Sequence, residues 1–204
     1  MIPQRALLIG LRCTLWLGLS VPHVAIAADG GPKITNYQTS GNLEVSHKLD
    51  CIGLDEVKTD YTPADLFPAA LQCMKTDRFD DAFAIYAVAG VYGRFDSLRV
   101  SDGTAHQAVD VIQMTVFGDL NESHRKNLMA AGSKQLDSPS SKQDFCRRLL
   151  QLGPPSYYPR YMIQHGMGAF FGGSTGGGLV TPFDAKVAFA KAMDSYLHCP
   201  LSNA

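Results

Sequence analysis

A chain of 204 residues, 46% hydrophobic and 18% charged, has the length and composition of one ordinary globular domain with a core of its own. Its formal net charge is −1 and it contains no basic run, so nothing points to a nucleic-acid partner.

Residues 1–27 read as a secretory signal. Arg5 and Arg12 make a positive start, the apolar run CTLWLGLS follows, and Ala25-Ile26-Ala27 is a small-x-small cleavage site before Ala28. Arg12 interrupts the apolar stretch, which is then too short to cross ~30 Å of hydrocarbon. Cys13 lacks the Leu-small-small approach of a lipoprotein, so no lipid anchor is expected. The sequence therefore predicts a periplasmic or secreted protein, cleaved near Ala27, with no membrane span in the mature chain. Cleavage would leave Cys51, Cys73, Cys146 and Cys199. An even number of cysteines in an exported chain predicts two disulfides. Four cysteines allow three pairings. We favour Cys51–Cys73 with Cys146–Cys199, because each would tie a loop or chain end to a nearby helix. A zinc site is disfavoured by the lack of close C-x-x-C spacing.

Residues 28–61 are polar and broken, which predicts a flexible start and then an extended segment pinned at Cys51. Leu43, Val45, Ile52 and Leu54 are its candidate apolar contacts. The clearest stretch follows, from Thr62 to Val100. Thr62 is an N-cap residue, Pro63 stands at the first helical position and Asp65 at the third. Leu66, Ala69, Ala70 and Cys73 recur at steps of three and four, one buried helix face. Asp77 is expected to cap a second helix, with Asp80 and Asp81 in its first turn, where the helix dipole favours acids. Phe79, Ala82, Phe83, Tyr86 and Ala89 continue a helical stripe, and Gly90 and Gly93 are expected to weaken the helix near its end.

Small Ala69 and Ala70, aromatic Phe79 after the corner, then Ala82, Tyr86 and Ala89 make this hairpin resemble a tetratricopeptide or Sel1-like repeat unit. The resemblance covers residues 62–100 only. No second copy follows at a period of about 34 residues, Asp77 stands where such units carry glycine, and no closing proline follows. It implies an antiparallel helix pair of a kind that mostly binds proteins.

A third helix is predicted from about Thr104 to Phe117, with Ala105, Ala108, Val109, Ile112 and Val116 inward. A fourth runs from about Glu122 to Ala131 and is expected to end at Gly132. Ser133–Ser141 reads as a polar loop. A fifth helix, starting near Ser141, carries Phe145, Leu149, Leu150 and Leu152 and stops at Gly153-Pro154-Pro155. Tyr157–Phe171 is apolar and aromatic, with a short helix after Pro159, and Gly172–Gly178 reads as a flexible loop. The last helix opens with Thr181-Pro182-Phe183-Asp184, like Thr62-Pro63-Ala64-Asp65, and runs to about His198. The fold class is thus an irregular all-α domain over residues 62–204, built on a helix hairpin with about six helices and two disulfides.

Gly172-Gly173-Ser174-Thr175-Gly176 matches G-x-S-x-G, which forms a nucleophile elbow only between a strand and a helix. Here no strand series surrounds it, although Asp184 or Asp194 and then His198 follow in the order a hydrolase would need. The mature histidines His47, His106, His124, His165 and His198 include no H-x-x-x-H pair. His106 and Asp110 could share a helix face, but two ligands are not a metal site. No catalytic set, metal or cofactor is therefore assigned. Arg94, Asp96 and Arg99 form a mixed-charge helix end, and Tyr157, Tyr158, Arg160 and Tyr161 an aromatic cluster with one arginine. These are the residue types that carry protein interfaces, so the seven are the candidate partner-binding residues. The leading expectation is an exported, non-enzymatic helical protein that binds another protein, with an immunity protein against a toxic effector as its concrete form. The alternatives are a secreted hydrolase using Ser174 with His198 as base, and a small-molecule binder with a pocket along Tyr157–Phe171.

Overall fold

The computed structural model describes residues 39–171 and 175–200; the expected signal segment, residues 28–38, residues 172–174 of the expected glycine-rich loop and residues 201–204 lie outside these. The α-helices are α1 (Pro63–Lys75), α2 (Phe79–Arg99), α3 (Ala108–Phe117), α4 (Glu122–Leu136), α5 (Pro139–Leu152), α6 (Arg160–Ile163) and α7 (Ala185–Leu197). Short 3-10 turns occur at Leu54–Glu56, Gly103–Gln107, Met167–Ala169 and Thr175–Gly178. The described residues contain no strand beyond an isolated antiparallel bridge, Val100 to Leu179.

Helix α1 starts as its sequence dictates. The Thr62 hydroxyl accepts from Asp65 N, and the Asp65 carboxylate accepts from Thr62 N at 2.8 Å, a reciprocal capping box. The Asp65 carboxylate does more, because it also accepts the backbone N–H groups of Ser46 (2.6 Å) and His47 (2.8 Å). One buried acid thus starts the helix and moors the segment before it. Leu66, Ala69, Ala70 and Cys73 form the expected buried face, joined by Phe67 and Met74.

The corner between α1 and α2 corrects the reading of Asp77 as an N-cap. Asp77 has φ +57°, and its N–H donates to Met74 O, while Arg78 N–H donates to Cys73 O. This is the left-handed Schellman ending of α1, and Asp77 fills the position glycine usually takes. The N-cap of α2 is Arg78, which makes no side-chain cap bond.

Helix α2 is the axis of the fold. The predicted stripe describes only part of its buried surface, since Ala84, Ile85, Ala87, Val88, Val91, Tyr92 and Phe95 are buried as well. It is enclosed by α1, α4, α7 and the Gly103–Gln107 turn. Gly90 and Gly93 do not weaken its end, and the helix continues to Arg99. Both are places of close approach. A Cβ at Gly90 would lie 2.0 Å from the Tyr196 ring of α7, and one at Gly93 would lie 2.7 Å from Val109 of α3. What looked like helix breakers are the slots into which neighbours fit.

The same cause moves a later boundary. Gly132 lies inside α4, where a Cβ would come 2.7 Å from the Phe83 ring, and the helix continues to Leu136. The expected loop Ser133–Ser141 is therefore mostly helical. Ser138 caps α5 and Pro139 takes its first position. Gly153, at φ +83°, ends α5 as predicted. At α7 the likeness to the α1 start does not hold. Asp184 is the N-cap, accepting from Lys186 N and Val187 N, and the Thr181–Pro182 peptide is cis.

Cys51 pairs with Cys73 and Cys146 with Cys199. The first ties the N-terminal segment to α1; the second ties the end of α7 to α5. No helix among the described residues is long and apolar enough to cross a membrane.

Candidate functional site

The carboxyl end of α2 is where the chain makes its least regular excursion. Between α5 and α7, residues 153–171 and 175–184 lie across this end in short turns. Asp96, on α2, is wholly buried. Its Oδ2 accepts the hydroxyls of Tyr157 (2.8 Å) and Tyr161 (2.7 Å), and its Oδ1 accepts Arg99 Nε at 2.8 Å. The Arg99 guanidinium lies between the Phe95 and Tyr157 rings, 4.9 and 5.0 Å from their centroids. Its Nη2 approaches Asp96 Oδ1 to 2.7 Å as a charge contact without hydrogen-bond geometry. Burial pushes the Asp96 carboxyl up, opposed by the Arg99 charge and the two phenols. Burial and then the Asp96 charge hold Tyr157 and Tyr161 well above the usual phenol range, so both stay protonated donors.

This geometry divides the seven sequence candidates. Asp96, Arg99 and Tyr161 are interior, and the Tyr157 hydroxyl is committed to Asp96. They form an internal pin rather than a partner-facing surface. Mixed charge at a helix end usually lies in water; here the excursion covers it. Arg94, Tyr158 and Arg160 are exposed. Arg94 Nε donates to Ser195 Oγ on α7, and Arg160 Nη2 donates to Ser40 O.

A second carboxylate fixes the outer part of the excursion. Asp102 Oδ1 accepts Thr104 N (2.9 Å) and Thr104 Oγ1 (2.6 Å), while its Oδ2 accepts Gly168 N (2.8 Å). Thr104 Oγ1 in turn accepts Met167 N at 2.8 Å. The hydrogen bonds from Thr104 and Gly168 hold the Asp102 carboxyl below its ordinary value. Gly166 makes the approach possible, since a Cβ there would lie 2.4 Å from Asp102 Oδ2. Further along, Ser101 N donates to Gly178 O, Val180 N to Arg99 O, and Tyr158 Oη to Gly177 O.

Large apolar side chains face water on this anchored excursion. Phe171 is 81% exposed, Tyr158 52%, Met167 50% and Phe170 41%. The sequence reading named Tyr158 but missed Met167, Phe170 and Phe171, which it placed in an apolar and aromatic segment without assigning them a role. Their i, i+3, i+4 spacing was the available signal.

The remaining candidates are dispersed. His106 lies in the 3-10 turn before α3, with Nε2 3.0 Å from Val100 O, so it and Asp110 do not share one helix. His47 Nδ1 lies 3.3 Å from the buried Asp65 and its Nε2 3.9 Å from Asp60, while His165 Nδ1 lies 2.9 Å from Asn42 Oδ1. His198 is the left-handed cap of α7. Ser174 is outside the described residues. Among the described residues, no group of three or more His, Cys, Asp or Glu could hold a metal ion. A groove of about 270 Å³ lies between α2, α4 and α5, lined by Asp80, Lys134, Asp144 and Arg148 among others, away from Tyr157–Phe171.

The fold and this site define an all-α, doubly disulfide-linked protein with an apolar surface at one end of its central helix. No protein-family model, curated protein or solved structure matches the chain.

Proposed function

We propose that the protein is exported and acts, without catalysing a reaction, by binding another protein through the exposed side of the Tyr157–Val180 excursion. The observation that carries this reading is the 81% exposure of Phe171 on a segment anchored at both ends to α2 and the turn after it. Aromatic side chains and methionine are enriched in the cores of protein interfaces, and few other exposed positions repay fixing them in place. The α1–α2 hairpin resembles units that bind proteins, which suits the same reading. Two disulfides suit an oxidising compartment outside the cytoplasm. Inhibition of a toxic effector by an immunity protein is the concrete form we favour.

The test is affinity capture from an envelope extract with wild-type protein and with the Phe171→Ala variant in parallel. A protein retained by the first and lost from the second supports the reading. Equal retention by both removes this surface from it.

A further inference from the structure

Resting on that reading, we infer that Asp102 and Thr104 are positioning residues that hold Met167, Phe170 and Phe171 as a preformed knob for an apolar cleft on a partner protein. Consecutive amides, Met167 N and Gly168 N, are taken by two side chains of another element, Thr104 Oγ1 and Asp102 Oδ2, each at 2.8 Å. Thr104 and Asp102 are themselves joined, Oγ1 to Oδ1 at 2.6 Å, so the two prongs move as one. The clamped turn continues through Ala169 N to Gly166 O and Phe170 N to Met167 O. Residues three apart in such a tight turn fall on one side. Met167 and Phe170 therefore point together, with Phe171 beside them. These apolar side chains contribute little to the core, being 50%, 41% and 81% exposed. Five hydrogen bonds and a close-approach glycine thus order a turn whose large side chains remain in water. Ordering a loop before binding removes that cost from the binding step.

The charge pattern selects the occupant. From Tyr157 to Phe183 the chain carries one arginine, Arg160, no lysine and no carboxylate. The one acid shown to reach the turn, Asp102, accepts hydrogen bonds from Thr104 N, Thr104 Oγ1 and Gly168 N. An anionic membrane surface is held by clusters of lysine and arginine. A segment whose one arginine is held at Ser40 offers no such cluster, and its apolar knob instead fits a protein cleft with apolar walls.

The probe is a peptide selected from a displayed random library on the full chain, expressed through an oxidising export route so that both disulfides close. Peptide binding is then followed by stopped-flow fluorescence for wild type, Phe171→Ala, Thr104→Val, Thr104→Ser and Asp102→Ala, with each thermal midpoint recorded. Selected peptides should be rich in large apolar residues. Phe171→Ala, which removes a contact, should raise the off-rate. Thr104→Val and Asp102→Ala should lower the competent fraction of the turn, so the on-rate falls about fivefold with the off-rate nearly kept. Thr104→Ser, which retains the hydroxyl, should restore the wild-type rate. If Phe171→Ala loses the peptide but Thr104→Val binds at the wild-type on-rate, the positioning role is wrong and the docking surface stands. If no peptide is enriched, or if Phe171→Ala binds as wild type, the docking surface itself is wrong. Sedimentation with vesicles of phosphatidylcholine and phosphatidylglycerol that requires Phe171 would replace the protein cleft with a lipid surface and overturn the assignment.

Discussion

Replacing Asp65 by alanine tests whether one carboxylate organises the start of the domain. Its two oxygens meet Ser46 N, His47 N, Thr62 N and Thr62 Oγ1, with His47 Nδ1 at 3.3 Å. Ser46 is exposed and His47 half-buried, so their amides can recover water. Thr62 is 4% exposed, and its N–H would be left without a partner. One buried orphan donor costs about 1–3 kcal/mol. The Thr62 hydroxyl still caps the backbone N–H of residue 65, but losing an acid from the first turn of α1 adds about 1 kcal/mol. The expected destabilisation is therefore about 3 kcal/mol, a large share of the ~5–15 kcal/mol that holds a domain folded. Thr62→Ala leaves the carboxylate in place and should cost only about 1 kcal/mol. Urea denaturation followed by far-UV circular dichroism, with the disulfides closed, measures both. A loss below about 1 kcal/mol for Asp65→Ala would mean that water replaces the carboxylate freely, and the reasoning fails.

Gly90→Ala sets helix propensity, a gain of about 1 kcal/mol, against a Cβ placed 2.0 Å from the Tyr196 ring. Overpacking should win by about 1–2 kcal/mol, lowering the thermal midpoint where an exposed glycine in a helix would raise it. Removing Cys146–Cys199, 53 residues apart, should cost about 4 kcal/mol, and removing Cys51–Cys73, 22 apart, about 3 kcal/mol, as chain entropy requires. Chemical denaturation of the paired Cys→Ala variants gives the order. Burial lowers the His165 pKa, so the unfolded chain takes up a proton first as pH falls. Stability should decline below about pH 6.5, and His165→Gln should remove that part of the slope. Phe171→Ala should leave the thermal midpoint nearly unchanged, because the side chain is 81% exposed.

Local chemistry was legible at the start of α1 and the end of α5, though not at Asp77 or at the opening of α7. Thr62-Pro63-Ala64-Asp65 announced α1, and Gly153-Pro154-Pro155 ended α5. Glycines misled because their role is set at a distance. Nothing near Gly90, Gly93 or Gly132 in sequence shows that Tyr196, Val109 or Phe83 will press against them. The buried candidates misled for the same reason. Asp96 and Arg99 read as a solvated helix end until Tyr157 and Tyr161, some 61 and 65 residues away, close over them. The exposed Met167, Phe170 and Phe171 were hidden in a segment whose composition suggests packing.

The mooring of the Thr39–His47 segment also constrains the order of assembly. Leu43 N donates to Tyr161 O, Asn42 meets His165, and Ser40 accepts from Arg160. These are contacts between the beginning of the described chain and a point about 120 residues later. Synthesis delivers the first partner long before the second. The segment must therefore wait, solvated, while α1 and α2 form beside it, and Asp65 can hold only its Ser46–His47 end in the meantime. Contacts of such long separation slow folding. The last step of assembly should be the closing of this strap over α6, after both halves of the molecule already exist.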